Sequence, residues 1–228
     1  MSVDLKVDFC DYKAASYAVI NWHYTKTMPV GKMVKFGVWE NGRFIGAVIY
    51  ARGNSPTLDS SYGLKQTEVC ELVRVALTNH QSPVSKIVSR SIKQLSKANP
   101  DLRMIISFAD PAEGHNGAIY QAMNWTYTGK SSPSWQWLHN GEWKHKREIT
   151  SGAFGKGGAI KDYKVLPKRL PLGKHRYLYP LDRAMRKQIA PLAKPYPKKT
   201  MRPADGGDLA TSEAGRFDSD QAALEKQL

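Results

Sequence analysis

Cysteine is scarce in this chain: Cys10 and Cys70 are the only two among 228 residues. They form no Cys-x-x-Cys pair and no disulfide framework, which suits a reducing cytoplasm. Both read as buried structural residues. No apolar run reaches the roughly 18 residues that a membrane span needs. The first residues lack the basic-then-apolar pattern of a secretory signal. No internal repeat is visible. Acids are also few, 20 against 34 lysines and arginines, for a net charge of +14. The imbalance is uneven. After residue 200 the bases are Arg202, Arg216 and Lys226 against six acids, which leaves 31 bases and 14 acids in residues 1–200. A body this cationic attracts a polyanion, and nucleic acid is the expected partner.

What is present is organised around residues 104–125. The run Met-Ile-Ile-Ser-Phe-Ala reads as a buried strand. Asp110-Pro111 ends it, since proline cannot continue a ladder. Residues 113–117 are turn chemistry, and 118–125 read as a short helix with Ile119, Ala122 and Met123 on one face. Asp110 therefore sits just past the carboxyl end of a strand, where open α/β sheets bind ligands, and Tyr120 lies on the next helix. The simpler reading makes Asp110 a turn cap.

Residues 3–9 alternate as a strand, and Asp11 caps a helix to about Trp22. That helix delivers His23 and Tyr24, an imidazole and a phenol suited to acid/base work. Strands over 33–40 and 43–51 flank Asn41-Gly42, a type I′ hairpin signal. Residues 67–78 form a long strand whose strict alternation puts Glu71 and Arg74 on opposite faces unless a bulge intervenes. Charges inside such a strand are costly unless paired or used. Ser82-Pro83 predicts an N-cap and first helical position for a helix to about Asn99. Its amide end is a candidate anion site, with Ser82 and Ser85 as phosphate contacts.

Residues 131–176 form a basic, aromatic hairpin and loop. Trp135, Trp137 and Trp143 are candidate base-stacking groups, and Lys144, Lys146, Arg147, Lys161, Lys164, Lys168 and Arg169 candidate backbone grips. A last strand falls at 174–179 and a helix within 181–192. Residues 1–192 are expected to make one domain, and 193–228, proline-rich and then acidic, a disordered tail.

The order strand, helix, loop, three strands, helix, strand, helix, strand, late strand resembles the GNAT acyltransferase fold. That fold is a mixed α/β architecture with a central, mostly antiparallel twisted sheet flanked by helices. Within it the chain resembles the phage Mu Mom family of DNA adenine modification proteins. The residues that carry this are Asn21-Trp-His-Tyr24 with Pro29 and Gly31, residues 37–46, Glu71-Leu-Val-Arg74, and 107–129. The resemblance implies conversion of adenine N6 in double-stranded DNA to a carbamoylmethyl derivative. It also implies base flipping, shielding of phage DNA from restriction, and action in the cytoplasm of an infected bacterium. It places functional residues at His23, Tyr24, Arg74, Ser85, Asp110 and Tyr120.

One departure stands out. The GNAT glycine-rich loop for coenzyme A is absent, since residues 79–85 contain no glycine. The expected donor is an activated acyl group, either a glycyl ester such as glycyl-tRNA or an acyl-CoA. His23, Asp110 and His115 could also form a two-histidine, one-carboxylate iron site. Two other classes compete: a conventional N-acetyltransferase acting on a protein or small molecule, and a non-catalytic DNA-binding protein.

Overall fold

The computed structural model describes residues 3–52, 59–151, 160 and 162–198. Ten strands and five α-helices alternate along them. The first half runs β1 (Leu5–Phe9), α1 (Tyr12–Trp22), β2 (Met33–Glu40), β3 (Arg43–Ala51), β4 (Val69–Leu77), α2 (Val84–Ala98) and β5 (Met104–Ala109). Then come α3 (Ala118–Ala122), β6 (Thr126–Lys130), β7 (Gln136–His139), β8 (Glu142–His145), α4 (Lys146–Ser151), β9 (Lys168–Arg169), β10 (His175–Pro180) and α5 (Arg183–Ile189).

Seven strands make the main sheet in the order β1-β2-β3-β4-β5-β10-β6, and β8-β7-β9 make a small second sheet. Every pairing in the main sheet is antiparallel except β4 with β5. This is the expected mixed architecture. Both Asn-Gly hairpins form, with positive φ at Asn41, Gly42, Asn140 and Gly141 as type I′ turns require.

Helices cover both faces because β3 is apolar on both. Val48 and Tyr50 join Leu72 and Ile105 under α2, whose Ile87, Val88, Ile92 and Leu95 are buried. Each such side chain contributes about 1.5–3 kcal/mol on burial. Ala47, Ile49 and Ala76 pack on the other face against Ala15, Ala18 and Val19 of α1. Met185 and Ile189 of α5 cover Met104, Ile106 and Leu178. Asp11 caps α1 through its side chain to Ala14 N at 2.8 Å, as expected.

Three expectations are corrected. The cap of α2 is Pro83 rather than Ser82, and no side chain caps it. The helix expected over 118–125 stops at Ala122, with Asn124 turning at φ 55°. Residues 193–198, assigned to the tail, lie on the domain. Lys194 N donates to the Tyr127 carbonyl of edge strand β6 at 2.8 Å, and Tyr196 OH to the Trp125 carbonyl at 2.8 Å. The acidic stretch beyond them lies outside the described residues. At the opposite edge, Arg90 and Gln94 of α2 donate to the Leu5 and Val7 carbonyls of β1. Among the described residues, no helix is long and apolar enough to cross a membrane.

Candidate active site

The site begins where the parallel strands part. Their pairing covers Val69–Met104, Cys70–Ile105 and Glu71–Ile106 and then ends. Beyond it β4 follows β3 while β5 follows β10. The β3–β4 register slips where Tyr50 faces Leu72 but Ile49 faces Arg74, so Val73 is an extra residue in β4. This bulge brings Glu71 and Arg74 to one side of the strand. Across the gap, Ser107 Oγ of β5 donates to the Leu72 carbonyl at 2.8 Å.

Four segments converge here. Asp110 follows β5 and does two things at once. Its Oδ1 accepts from Ala112 N at 3.0 Å, capping the turn, while Oδ2 lies 2.9 Å from Lys174 Nζ. The end of α1 brings His23 and Tyr24, ring centroids 4.4 Å apart, and Tyr24 meets His115 edge-on at 5.4 Å. Arg74 spends one N–H of each of its three nitrogens on carbonyls. Nε and Nη2 reach Thr27 O at 3.3 and 3.1 Å, and Nη1 reaches Val73 O at 2.8 Å. Each terminal nitrogen keeps a second N–H for a ligand. Glu71 is close enough for its charge to act on Arg74, Tyr120 and Lys174.

The environment assigns protonation states. Burial, then the Arg74 and His115 charges, lower the His23 pKa to about 4. Thr25 N donates to His23 Nδ1 at 3.2 Å, so the neutral ring carries its proton on Nε2. His23 is therefore an uncharged hydrogen-bond donor near neutral pH. Burial raises the Tyr24 pKa, and the Asp110 and Glu113 charges add to it against Lys174 and Arg74, so the phenol keeps its proton. Burial pushes the Tyr120 phenol up to about 12. The Ser107 hydroxyl is shared between the Leu72 carbonyl at 2.8 Å and the Tyr120 hydroxyl oxygen at 2.7 Å. Tyr120 is buried and braces the split.

His23 yields a direct prediction. As pH falls below its ordinary 6.5, the unfolded chain takes up a proton that the folded chain refuses until about 4. Stability from this group is therefore complete above 6.5 and lost progressively toward 4. NMR titration of the His23 ring is expected to show a midpoint near 4, and a midpoint at 6.5 would refute the assignment.

Several expected site residues stand elsewhere. Ser82 is buried, and with Gln81 it donates its backbone N–H to Glu40 of β2, at 2.6 and 2.9 Å. The loop before α2 is thus an anion site that already holds the chain's own carboxylate, and Pro83 has no N–H to add. The Gln81 and Ser82 amides are therefore not free for a coenzyme A diphosphate. Ser85 is half-buried in the first turn of α2. His23, Asp110 and His115 do not form the expected iron site: no cluster of three His, Cys, Asp or Glu able to hold a metal exists among the described residues. Asp110 is engaged by Lys174 and Ala112, and His23 Nδ1 by Thr25.

In the small sheet, Trp137 is buried edge-on against Tyr163 at 5.1 Å and cannot stack on a base. Lys168 lies 4.9 Å from the Trp135 ring and Arg169 4.4 Å from that of Trp143. These tryptophans orient cations instead of offering two bare faces. Lys164, Lys168, Arg169 and Lys146 are exposed, and Lys144 pairs with Glu142 at 3.5 Å. Lys161 and the Arg147 side chain lie outside the described residues.

A sequence model of the Mom protein family matches residues 4–198, nearly all of the described chain. The chain belongs to the Mom protein family. The methylcarbamoylase Mom of Escherichia phage Mu is 26% identical over 211 residues, covering 86% of this chain and 85% of that protein. Among solved structures, an N-acetyltransferase from Staphylococcus aureus Mu50 is 13% identical, covering 79% of this chain and 99% of its own, with a TM-score of 0.41. The N-acyl amino acid synthase FeeM from uncultured soil microbes is 12% identical, covering 84% and 98%, with a TM-score of 0.44. The match spans every segment of this chain that contributes to the site, from His23 to Lys174.

Sequence reasoning missed two residues of this neighbourhood, Lys174 and Glu40. Lys174 sits in a basic run with nothing to distinguish it. Glu40 contacts a loop 41 residues later, and no local pattern carries that pairing.

Proposed function

We propose that the chain converts adenine in double-stranded DNA to its N6-carbamoylmethyl derivative, inside a phage-infected bacterium, and so shields phage DNA from restriction. The observation that carries this is the near full-length match to a protein named methylcarbamoylase. Asp110, at the mouth of the parted strands, is the group that holds the adenine amine and takes its proton. Tyr24, a phenol that keeps its proton, donates to the leaving oxygen of the donor. His23 offers Nε2–H as a further hydrogen bond, and Arg74 the two N–H groups left over from the loop carbonyls. Lys164, Lys168 and Arg169 neutralise DNA phosphates, the latter two steered by their tryptophans. The target base swings out of the stack to reach Asp110.

The Glu40-filled loop favours a donor that is not held by a diphosphate there. A glycyl ester meets this condition and the product connectivity. Attack of N6 on the ester carbonyl expels the alcohol and gives N6–CO–CH2–NH2. Attack of the free amine on C6, with cleavage of the C6–N6 bond, then gives the isomer N–CH2–CO–NH2, with no atom gained or lost. Mass spectrometry of nucleosides from cells expressing the chain is expected to show a modified deoxyadenosine. In extracts it is expected to take label from glycine and to vanish with ribonuclease. Product from acetyl-CoA alone would sink the glycyl donor, and unmodified adenine beside an acetylated protein or amine would sink the DNA reading.

A further inference from the structure

The Asp110 carboxylate is held at two points, and the second, Lys174, is brought there by the sheet itself. Strands β10 and β5 run antiparallel with His175 opposite Ala109. The residue before His175 therefore lies across from the residue after Ala109, which sets Lys174 beside Asp110. The backbone at Lys174 is locked as well. Ser131 N donates to Lys174 O at 2.8 Å and Lys174 N to Ser131 Oγ at 3.0 Å. The preceding Gly173 makes this approach possible, because a Cβ there would stand 1.8 Å from the Ser131 carbonyl oxygen. A glycine, a two-way backbone lock and a cross-strand register thus all serve to aim one ammonium.

Burial alone would draw that ammonium toward losing its proton. The hydrogen bond and the charge of Asp110, with the Glu71 charge behind them, outweigh burial and raise the Lys174 pKa above the ordinary lysine value. Lys174 therefore stays a cation at neutral pH. An isolated ion pair at a half-exposed lysine adds little stability, about 0–1 kcal/mol. The construction around it is better explained by geometry than by stability. With Oδ1 on Ala112 N and Oδ2 on Lys174 Nζ, the plane of the carboxylate is fixed, and each oxygen keeps a lone pair for another donor.

We infer that Lys174 is a positioning residue of the transfer reaction, fixing Asp110 in the rotamer that receives the adenine amine. This rests on the transferase reading above. Small misplacements of a reacting group cost up to about 10²-fold in rate.

The test is single-turnover modification of duplex DNA by the full chain, comparing wild type, K174M, K174R, D110N and the K174M/D110N double variant, with melting temperatures alongside. K174M is expected to lower the rate by about 10- to 10²-fold at unchanged DNA affinity and melting temperature. K174R restores most of the loss, and K174M has no further effect once Asp110 is Asn. An active wild type whose two losses multiply, or a K174M that only weakens DNA binding, overturns the Lys174 role alone. A wild type that leaves adenine unmodified overturns the transferase reading together with it.

Discussion

Asp110→Asn is expected to slow adenine modification by about 10²- to 10⁴-fold, the usual contribution of a positioned proton acceptor, while the chain stays folded. The two halves of this expectation come from different oxygens. Oδ1 caps the turn after β5 by accepting from Ala112 N at 3.0 Å, and an asparagine carbonyl accepts the same bond. Oδ2 carries the charge, paired with Lys174 at 2.9 Å. Losing a partly exposed pair costs about 0–1 kcal/mol of stability. The variant thus removes a base and leaves a cap. Single-turnover rates beside urea denaturation check both halves. A rate within threefold of wild type would dismiss Asp110 as a proton acceptor, and a collapse in stability would show that the cap needs the charge.

The second large effect belongs to the core behind the site. Trp125→Ala is expected to destabilise the fold by about 3–5 kcal/mol, a large part of the 5–15 kcal/mol of a typical domain. Trp125 is fully buried, its ring 4.9 Å from Tyr120 and 5.2 Å from Tyr179. Its indole N–H has no hydrogen-bond partner among the described residues. Burying an unpaired donor costs about 1–3 kcal/mol, so Trp125→Phe is expected to lose far less than the alanine variant, because it removes that donor with part of the packing. Denaturant midpoints for the pair decide the matter. A phenylalanine variant as unstable as the alanine one would mean that the indole N–H is satisfied after all. Since Tyr120 leans on Trp125 and braces Ser107, the alanine variant also loosens the split between β4 and β5.

Local patterns made much of this legible. The Asn41-Gly42 and Asn140-Gly141 turns, the Asp11 cap, the apolar spacing of α2 and the position of Asp110 at a strand end are properties of short segments. Periodicity and turn chemistry act within such segments. The tension between Glu71 and Arg74 was also visible, because alternation forced them apart and only a bulge could reunite them. What could not be read depends on distant pairings. Glu40 reaches Gln81 and Ser82 only because β2 and the loop before α2 meet in the fold. Lys174 reaches Asp110 only through the β10–β5 register. A tryptophan-rich hairpin reads as a stacking platform; in it Trp137 fills a core, while Trp135 and Trp143 each lie against a cation of their own chain.

Lys194 on the Tyr127 carbonyl, and Arg90 and Gln94 on those of Leu5 and Val7, have a consequence beyond the domain. A seven-stranded sheet has two rims, and an open rim invites a strand from a neighbouring copy. Here each rim is partly satisfied from within, by a strap of backbone at one and long polar side chains at the other. Copies of this chain would thus meet with blunted edges, and association by strand exchange is disfavoured.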